Sequence, residues 1–481
     1  MRNHALAVAG LLGLTLLTSC GGTGFPIITK PPEHKSAWTW VSGANTLHQT
    51  GVYGTKGTAS QSNVPGARLD AVTWTDKNGN LWLLGGAVFN FTEFLNDLWK
   101  YDGSNWTWGS GANTSGQPGV YGTQGTASPS NVPGARFHSA SWIDNKGNLW
   151  LFGGVTSNSQ GVRFLLNDLW KYDGSNWTWV GGANTSGQPG VYGTQGTASP
   201  SNVPGARAGA VYWTDANGNF WLFGGDGLDA NVGAGNNLND LWKFDGVNWT
   251  WVNGPNSGAV FFETGIYGTK GTASPSNRPP ARAGAVSWID KSGALWLFGG
   301  IGFDSTLTYG LLNDLWKSDG TNWTWVSGAD TVLQVGTYGT LGTAFPANVP
   351  GARSDSISWT DKGGTLWLFG GTGFDARGAD ALFNDLWKFD GSNWTWVSGS
   401  RPPTKLLCTA PEGSRLRLMC LADERTLSHG STAVATFGYS EALAPIPVVW
   451  HMTISTISGA SSRKKTPKGL SVAASFGKER P

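Results

Sequence analysis

The amino-acid sequence predicts an all-β protein assembled from repeated antiparallel sheets, and three observations support this expectation. The 481 residues include 72 glycines and 28 tryptophans, whereas charged residues make up 13% of the chain. That charged share is about half of the usual one, which disfavours amphipathic helices with charged outer faces. A block of 68 to 75 residues recurs along the chain, and each copy contains four short β-prone runs separated by turn residues.

Glycine doublets define the repeat. They occur at residues 85–86, 153–154, 224–225, 299–300 and 370–371, so their spacings are 68, 71, 75 and 71 residues. Each unit also contains Pro-x-Ala-Arg before the doublet, and Asn-Asp-Leu-Trp-Lys and Asn-Trp-Thr-Trp after it. Five tryptophans per unit account for 25 of the 28 in the chain. The sequence therefore contains five complete units.

Within the second unit, the β-prone runs cover residues 139–143, 148–152, 168–172 and 177–180. Asp-Asn-Lys-Gly and Asp-Gly-Ser-Asn separate two of the pairs and have the chemistry of hairpin turns. A single four-stranded meander cannot bury both of its apolar faces, but sheets arranged around an axis bury them against each other. We therefore predict a β-propeller with five complete four-stranded blades. A β-solenoid is the competing repeat architecture, and its period is normally shorter.

The order of these motifs resembles the kelch repeat. Ala-Arg, Leu-Trp-Leu-Phe-Gly-Gly, Asp-Leu-Trp-Lys-Tyr-Asp and a final Trp match its four strands, and the resemblance covers residues 65–396. It implies a kelch-type propeller of the galactose oxidase type. Kelch units usually have about 50 residues, and the excess here lies between the units, as at residues 180–206.

The N-terminus has the layout of an export signal. Residues 1–20 contain Arg2 and a 13-residue apolar run, and they end in Leu-Thr-Ser-Cys. The run is too short to span a bilayer core of about 30 Å as a helix. Its ending resembles the bacterial lipobox, which implies a lipoprotein anchored to the membrane through lipid on Cys20; an ordinary secretory signal is the alternative. Gly21 favours the outer membrane of the cell envelope, and residues 21–37 are expected to be a flexible tether.

Both ends of the repeat region suggest an incomplete sixth blade. Residues 38–42 match a fourth strand without the three strands that normally precede it, so the propeller is expected to cover residues 38–399. Ring closure would place the missing strands after Trp396. Residues 400–481, however, contain no glycine doublet and are strongly basic. They are a diverged blade, a separate extension, or the product of a shifted reading frame.

The arginine and aspartate of every unit are expected to be structural, because a reactive site needs one constellation rather than five copies. Two residues after each repeat arginine, in contrast, the units differ: Asp70, His138, Gly209, Gly284 and Asp355. These positions lie near one mouth of the predicted channel. The trio Asp70, His138 and Asp355 is a candidate for cation binding or acid–base catalysis. We expect them instead to be separately solvated, since they are on different blades.

A second variable region follows each glycine doublet, and it is predicted to be a loop of 9 to 13 residues. Its aromatic residues are candidates for a recognition surface, because exposed aromatic side chains contribute strongly to interfaces. They are Phe89, Phe91, Phe94, Phe164, Phe303, Tyr309 and Phe374. The long segments between units are expected to lie beside these loops.

Several functions are disfavoured by what the sequence lacks. Galactose oxidase needs two Tyr and two His copper ligands and a Cys cross-linked to one Tyr, whereas residues 38–396 contain only His48 and His138 and no cysteine. No cofactor or metal site is therefore expected. The net charge of +2 argues against nucleic-acid binding. We predict a non-catalytic scaffold at the cell envelope that recognises protein or carbohydrate through its loops. The alternative is a carbohydrate-active enzyme of the sugar epimerase or mutarotase kind that uses the channel mouth.

Overall fold

A computed structural model describes residues 39–88, 93–230, 236–256, 264–374 and 380–400, together with two short strands nearer the C-terminus. The chain divides into two units, Met1–Gly43 and Ala44–Pro481. In the first unit, the Trp40 indole donates a hydrogen bond to the Ser42 carbonyl. The division tests neither the predicted signal and tether nor the predicted boundary at residue 400. Over the described ranges, no helix has the length and apolarity to cross a membrane.

Among its described residues, the second unit contains five antiparallel meanders of four strands, which we call blades 1 to 5; short additional strands extend the sheets of blades 1 and 3. Their strands are Val72–Thr75, Leu81–Ala87, Phe94–Tyr101 and Trp106–Ser110 in blade 1; Ala140–Ile143, Leu149–Ser157, Arg163–Tyr172 and Trp177–Gly181 in blade 2; Val211–Thr214, Phe220–Gly227, Asn236–Phe244 and Trp249–Asn253 in blade 3; Val286–Ile289, Leu295–Phe298, Leu315–Ser318 and Trp323–Ser327 in blade 4; and Ile357–Thr360, Leu366–Phe369, Leu386–Phe389 and Trp394–Ser398 in blade 5. The strands pair in chain order, so each blade is the predicted meander.

An aspartate closes the first hairpin of every blade. In blade 4, Oδ1 of Asp290 accepts the backbone N–H groups of Ser292 and Ala294, and Oδ2 accepts the indole N–H of Trp296. Burial raises the pKa of Asp290, but these hydrogen bonds outweigh it and lower the pKa to about 2. The turn therefore holds its carboxylate ionised at neutral pH and fixes the tryptophan that follows it.

The glycine doublet creates a β-bulge at the end of the second strand. Gly85 and Gly86 have φ values of 61° and 103°, and a Cβ at Gly85 would lie 2.7 Å from the Arg136 carbonyl oxygen of the next blade. The Gly86 N–H donates to that same carbonyl at 2.9 Å. Only glycine combines this conformation with this approach, so the doublet serves contact between blades.

The predicted loops after the doublets are mainly β-hairpins. In blade 2 the second and third strands continue through the bulge and pair as far as Ser157 and Arg163. In blades 4 and 5 the hairpins form separate small sheets. These contain Arg282–Ala283, Ile301–Phe303 and Tyr309–Leu311, and Arg353–Ser354, Thr372–Phe374 and Asp380–Leu382. In blade 3, Arg207–Ala208 joins the hairpin in the same way.

Consecutive blades pack face to face. We call the face toward the next blade the forward face and the opposite one the rear face. Blade 1 and blade 2 pack apolar residues at five positions each: Val72, Trp74, the partly buried Trp82, Leu84 and Leu98 on the forward face, and Leu149, Leu151, Trp170, Tyr172 and Trp177 on the rear face. The same positions join blades 2 and 3, 3 and 4, and 4 and 5. The first strands also contact one another in this order, so the sheets radiate from a common axis and form a β-propeller.

The segments between units cover the outer edges of the blades. Ala59–Ser60 pairs with the fourth strand of blade 1, and Ala198–Ser199 pairs with that of blade 3. In blades 2, 4 and 5 a single bridge takes their place. The amide of Asn63 strengthens this contact by donating to Trp106 and Thr58 carbonyls. The additional edge protects backbone groups that would otherwise invite pairing with other chains.

A buried ion pair connects the parts of each blade. In blade 3, Arg207 contacts both carboxylate oxygens of Asp240, at 2.7 and 2.8 Å. Tyr192 and Trp242 donate further hydrogen bonds to Oδ2 of the same carboxylate. Arg207 also donates to the carbonyl of Gly224 in the doublet. The repeat arginines and aspartates are thus structural, as predicted, and blades 1, 2, 4 and 5 contain the same network.

Replacing Asp240 by Asn should destabilise the protein strongly, since Arg207 would keep its charge in a buried site without a compensating carboxylate. We expect the free energy of unfolding to fall by about 3–5 kcal/mol, measured by chemical denaturation with tryptophan fluorescence. Glu93→Gln removes a charge from an exposed side chain and should change it by less than about 0.5 kcal/mol. Equal effects of the two variants would contradict the structural role of the pair.

Candidate functional site

The five variable positions that follow the repeat arginines form a backbone ladder around the axis. The N–H of His138 donates to the Asp70 carbonyl, Gly209 to His138, Gly284 to Gly209 and Asp355 to Gly284, at 2.9 to 3.2 Å. All five residues are in the left-handed region, with φ between 51° and 64°. This conformation aligns each N–H with the preceding blade. The ladder fixes the five side-chain positions at one mouth of the channel.

Non-glycine residues occupy three of these five positions. Glycine adopts the left-handed conformation without strain, and blades 3 and 4 have Gly209 and Gly284 there. Asp70, His138 and Asp355 adopt it at a cost of about 1 kcal/mol or more each. A Cβ at Gly284 would lie 2.7 Å from Oδ1 of Asp355, so that glycine makes room for a neighbouring side chain. Within the ladder, the strain is therefore confined to the three residues that bear polar side chains.

The structure brings Asp70, His138 and Asp355 together. Nε2 of His138 lies 2.9 Å from Oδ2 of Asp70, within hydrogen-bond distance, and 3.8 Å from Oδ1 of Asp355. All three side chains are partly exposed. Ser354 donates a hydrogen bond to the other oxygen of Asp355. The expectation that these residues are separately solvated is wrong, because the left-handed backbone turns the side chains of three blades toward one another.

This imidazole between two carboxylates presents one group that can donate or accept a proton and two that accept hydrogen bonds. One carboxylate contacts the imidazole nitrogen directly, which orients the ring. The second carboxylate is farther away and has an additional hydroxyl donor. We call the three residues the mouth triad.

Hydroxyl groups lie three residues further along the same inner strands: Thr73, Ser141, Tyr212, Ser287 and Ser358. Ser141 donates to the Tyr212 hydroxyl at 3.2 Å, and Ser287 donates to the Tyr212 carbonyl at 2.9 Å. Burial raises the pKa of Tyr212, so its hydroxyl stays protonated at neutral pH. The inner strands therefore meet through polar contacts. The sequence analysis did not identify Tyr212. The signal was present, because Tyr212 is the one large residue at a position where the other four units have serine or threonine.

The predicted recognition aromatics divide into four groups, of which the buried one contains Phe94 alone. Phe89 and Phe91 lie outside the described residues. Phe164 and Tyr309 are exposed, whereas Phe303 and Phe374 are partly buried. Phe303 packs edge-on against Tyr309, with ring centroids 5.1 Å apart.

Phe94 is not a surface residue, which corrects the prediction. Its exposed fraction is 0%, and it packs against Phe137 of blade 2 with ring centroids 4.7 Å apart. The cause is the hairpin, because Phe94 pairs with Ala87 across the strands, directly beyond the bulge. It belongs to a small core that also contains Ala135.

The hairpins lie on the same side as the mouth triad. Phe137, next to His138, forms a bridge with Val155 of the blade 2 hairpin, and the Arg163 guanidinium lies 6.0 Å from the Phe137 ring. The segments between units also reach this side, as predicted. Gly187 donates to the Leu165 carbonyl. The mouth triad and the hairpins that bear the exposed aromatic side chains therefore lie on one side of the blades, which we call the mouth face.

The donor set does not fit a copper site of the galactose oxidase kind. The nearest partners of His138 are carboxylates, and Tyr53, like its counterpart in every other blade, donates its hydroxyl to the repeat aspartate. Among the residues that the structure describes, no group of three His, Cys, Asp or Glu side chains is arranged to hold a metal ion. The tyrosines were missed as network members because they lie in the segments between units.

No protein-family model and no curated protein matches the sequence. Solved structures with a similar arrangement include that of YjhT, which is 16% identical with a TM-score of 0.41 over 70% of this chain and 86% of that chain. A fungal alcohol oxidase of the AA5 family in complex with copper is 14% identical, with a TM-score of 0.37 over 74% and 69%. A protein of unknown function from Dyadobacter fermentans DSM 18053 is 10% identical, with a TM-score of 0.35 over 70% and 82%.

Replacing His138 by Gly should leave stability nearly unchanged. The variant loses the hydrogen bond to Asp70 but also loses the backbone strain, and each is worth about 1 kcal/mol. The net change in unfolding free energy should stay within about 1 kcal/mol in chemical denaturation. Gly209→Ala is the matched control and should cost about 1–2 kcal/mol, because alanine gains strain and no partner. A loss above about 3 kcal/mol in His138→Gly would show that this position is structural.

Proposed function

We propose that this chain is a kelch-type propeller that binds carbohydrate at its mouth face as a non-catalytic scaffold. The observation that carries the proposal is the backbone strain of the mouth triad. Three blades have polar residues in a left-handed conformation at the position where the other two blades have glycine. Strain of this kind accumulates where a side chain is needed for function. Elsewhere in the described blades, the repeat arginines and aspartates form buried ion pairs with each other.

The chemistry of the mouth face suits a polyhydroxylated ligand. Asp70 and Asp355 offer carboxylate oxygens to sugar hydroxyl groups, and charge-assisted hydrogen bonds of this type are strong. Phe164 and Tyr309 add exposed aromatic surface on hairpins of the same face. Aromatic rings provide apolar area at a small cost in side-chain entropy. A protein ligand would use the aromatic residues more than the triad, which makes the two ligand classes separable.

Asp70→Gly and Asp355→Gly should weaken carbohydrate binding without unfolding the protein, because each removes an acceptor and relaxes a strained residue. Screening on an immobilised glycan collection followed by calorimetry should show at least a tenfold loss of affinity, or about 1.4 kcal/mol. Val247→Ser, on an exposed turn of blade 3, serves as the control and should bind normally. Unchanged glycan affinity in both Asp variants would refute the triad as the binding site.

A specific observation also favours the enzymatic alternative, namely the imidazole held between two carboxylates. Such a group can move a proton at a sugar carbon or ring oxygen, as an epimerase or mutarotase requires. NMR exchange measurements on the bound sugar separate the two functions. A scaffold leaves the anomers and the C–H protons to exchange at the uncatalysed rate. Acceleration that disappears in His138→Gln would establish the enzyme instead.

We further propose that the protein is exported and anchored to the outer membrane through lipid on Cys20. The support is the lipobox-like sequence Leu-Thr-Ser-Cys and Gly21 after it. The blades then stand at the cell envelope, where glycans are abundant. Residues 21–37 lie between the anchor and the repeat region.

Cys20→Ala should prevent attachment of lipid to the chain. The variant should then keep its signal sequence, or be released from the membrane after an ordinary cleavage. Labelling of cells with a radioactive or alkyne-tagged fatty acid should mark the wild-type chain and not the variant. Fractionation of Gram-negative cells should place the wild type with the outer membrane. Fatty-acid labelling of Cys20→Ala at the wild-type level would rule out this attachment site.

A further inference from the structure

Blade 5 has an apolar forward face that no described residue covers. Its residues Ile357 and Trp359 are 62% and 38% exposed. The corresponding residues of blade 4, Val286 and Trp288, are 8% and 6% exposed because blade 5 packs on them. Trp359 still stacks on Trp367 across the strands at 5.9 Å, so the face is formed although Ile357 and Trp359 are exposed.

Blade 1 has an exposed apolar residue on its rear face, the face that points away from blade 2. Leu81 is 45% exposed, whereas its counterparts in blades 2 to 5, Leu149, Phe220, Leu295 and Leu366, are at most 3% exposed. In blades 2 to 5 this rear-face position is covered by the preceding blade, and a sixth blade would cover it in blade 1 as it would cover the forward face of blade 5.

We propose that the two uncovered faces are a docking site for residues 401–481 of the same chain. This segment directly follows blade 5 and contains 81 residues, which exceeds the largest spacing of 75 residues between units. Because it is tethered to one of the two faces, its effective concentration there is in the millimolar range.

The composition of the segment supports burial. Of its 81 residues, 32 are apolar, which equals the 39% of the whole chain. Segments that stay unfolded in water have few apolar residues, so the apolar content of this one is compatible with burial against a partner surface. The backbone already contains an antiparallel pair, Val434–Phe437 with Trp450–Thr453, in which Phe437 and Trp450 are directly opposite. A pair of strands with aromatic residues in register is the element that the first two strands of each blade also present.

Charge favours the same occupant. Residues 401–481 contain 11 basic and 5 acidic residues, whereas residues 1–400 contain 22 basic and 26 acidic ones. The segment is thus positive and the remainder negative, which attracts the two parts to each other.

Photo-crosslinking in the full chain tests the proposal. A benzophenone side chain at position 357 should link to residues 401–481, as identified by mass spectrometry of the band at monomer mass. Mixing light and heavy isotope-labelled chains shows whether the link stays within one copy. The same side chain at position 247, which is exposed on blade 3, is the matched control and should give no such links. Links from position 357 only to a second copy, to another protein, or to solvent products overturn the proposal.

Thermal unfolding gives an independent measurement. Ile357→Ser in the full chain should lower Tm by about 4 °C or more, as expected for a residue that becomes buried on docking. Val247→Ser should lower it by less than about 1 °C. Ending the chain at Ser400 should remove the difference in Tm that Ile357→Ser causes. If that shortened chain does not fold, the crosslinking result alone decides. An Ile357→Ser shift as small as that of the control contradicts docking.

Discussion

The buried pair of a guanidinium and a carboxylate is the constraint on which the rest of each blade depends. Arg207 stands before the first strand of its blade and Asp240 in the third, and Tyr192 reaches the same carboxylate from the segment between units. Burial penalises the charge of Arg207, but Asp240 outweighs this and raises the pKa of Arg207. Taking both charges out of water is costly unless every remaining donor has an acceptor. The pair therefore joins several chain segments into one cooperative module, and the long segment between units is needed because it supplies the tyrosine.

The polar side chains that recur in all five blades already bind one another in the same network. Residues for a specific function are therefore expected at positions where the units differ. The ladder of backbone hydrogen bonds makes the position two residues after each arginine geometrically equivalent in all blades. The side chains at those positions are then free to vary without altering the architecture. Gly209 and Gly284 adopt the left-handed conformation without strain, whereas Asp70, His138 and Asp355 adopt it with strain. A scaffold of identical modules can thus acquire one asymmetric site by single substitutions around its axis.

The sequence predicts the blades well because their strands depend on local chemistry. The turn aspartates, the doublet and the tryptophan positions all recur in the register that the structure shows. Three features could not be predicted, because they depend on contacts between residues that are distant in the sequence. The exposure of Phe94 was mispredicted because the bulge carries the hairpin onto the next blade. The fifth pairing at the outer edge joins distant residues, as in Ala59 with Thr107. The convergence of the mouth triad depends on how many blades surround the axis, which is a property of the ring and not of any unit.

The uncovered faces and the mouth triad are physically connected, because blades 1 and 5 contribute to both. Asp70 belongs to the blade whose rear face is exposed, and Asp355 to the blade whose forward face is exposed. His138 contacts the first carboxylate at 2.9 Å and lies 3.8 Å from the second. An element that docks on the uncovered faces would contact the two blades that carry these carboxylates. Within the triad, Asp70 is tied to its neighbour His138 through the ladder, whereas Asp355 is joined to His138 only through Gly284 and Gly209. Docking on the uncovered faces and ligand binding at the mouth triad are therefore expected to be coupled, because the same two blades contribute to both.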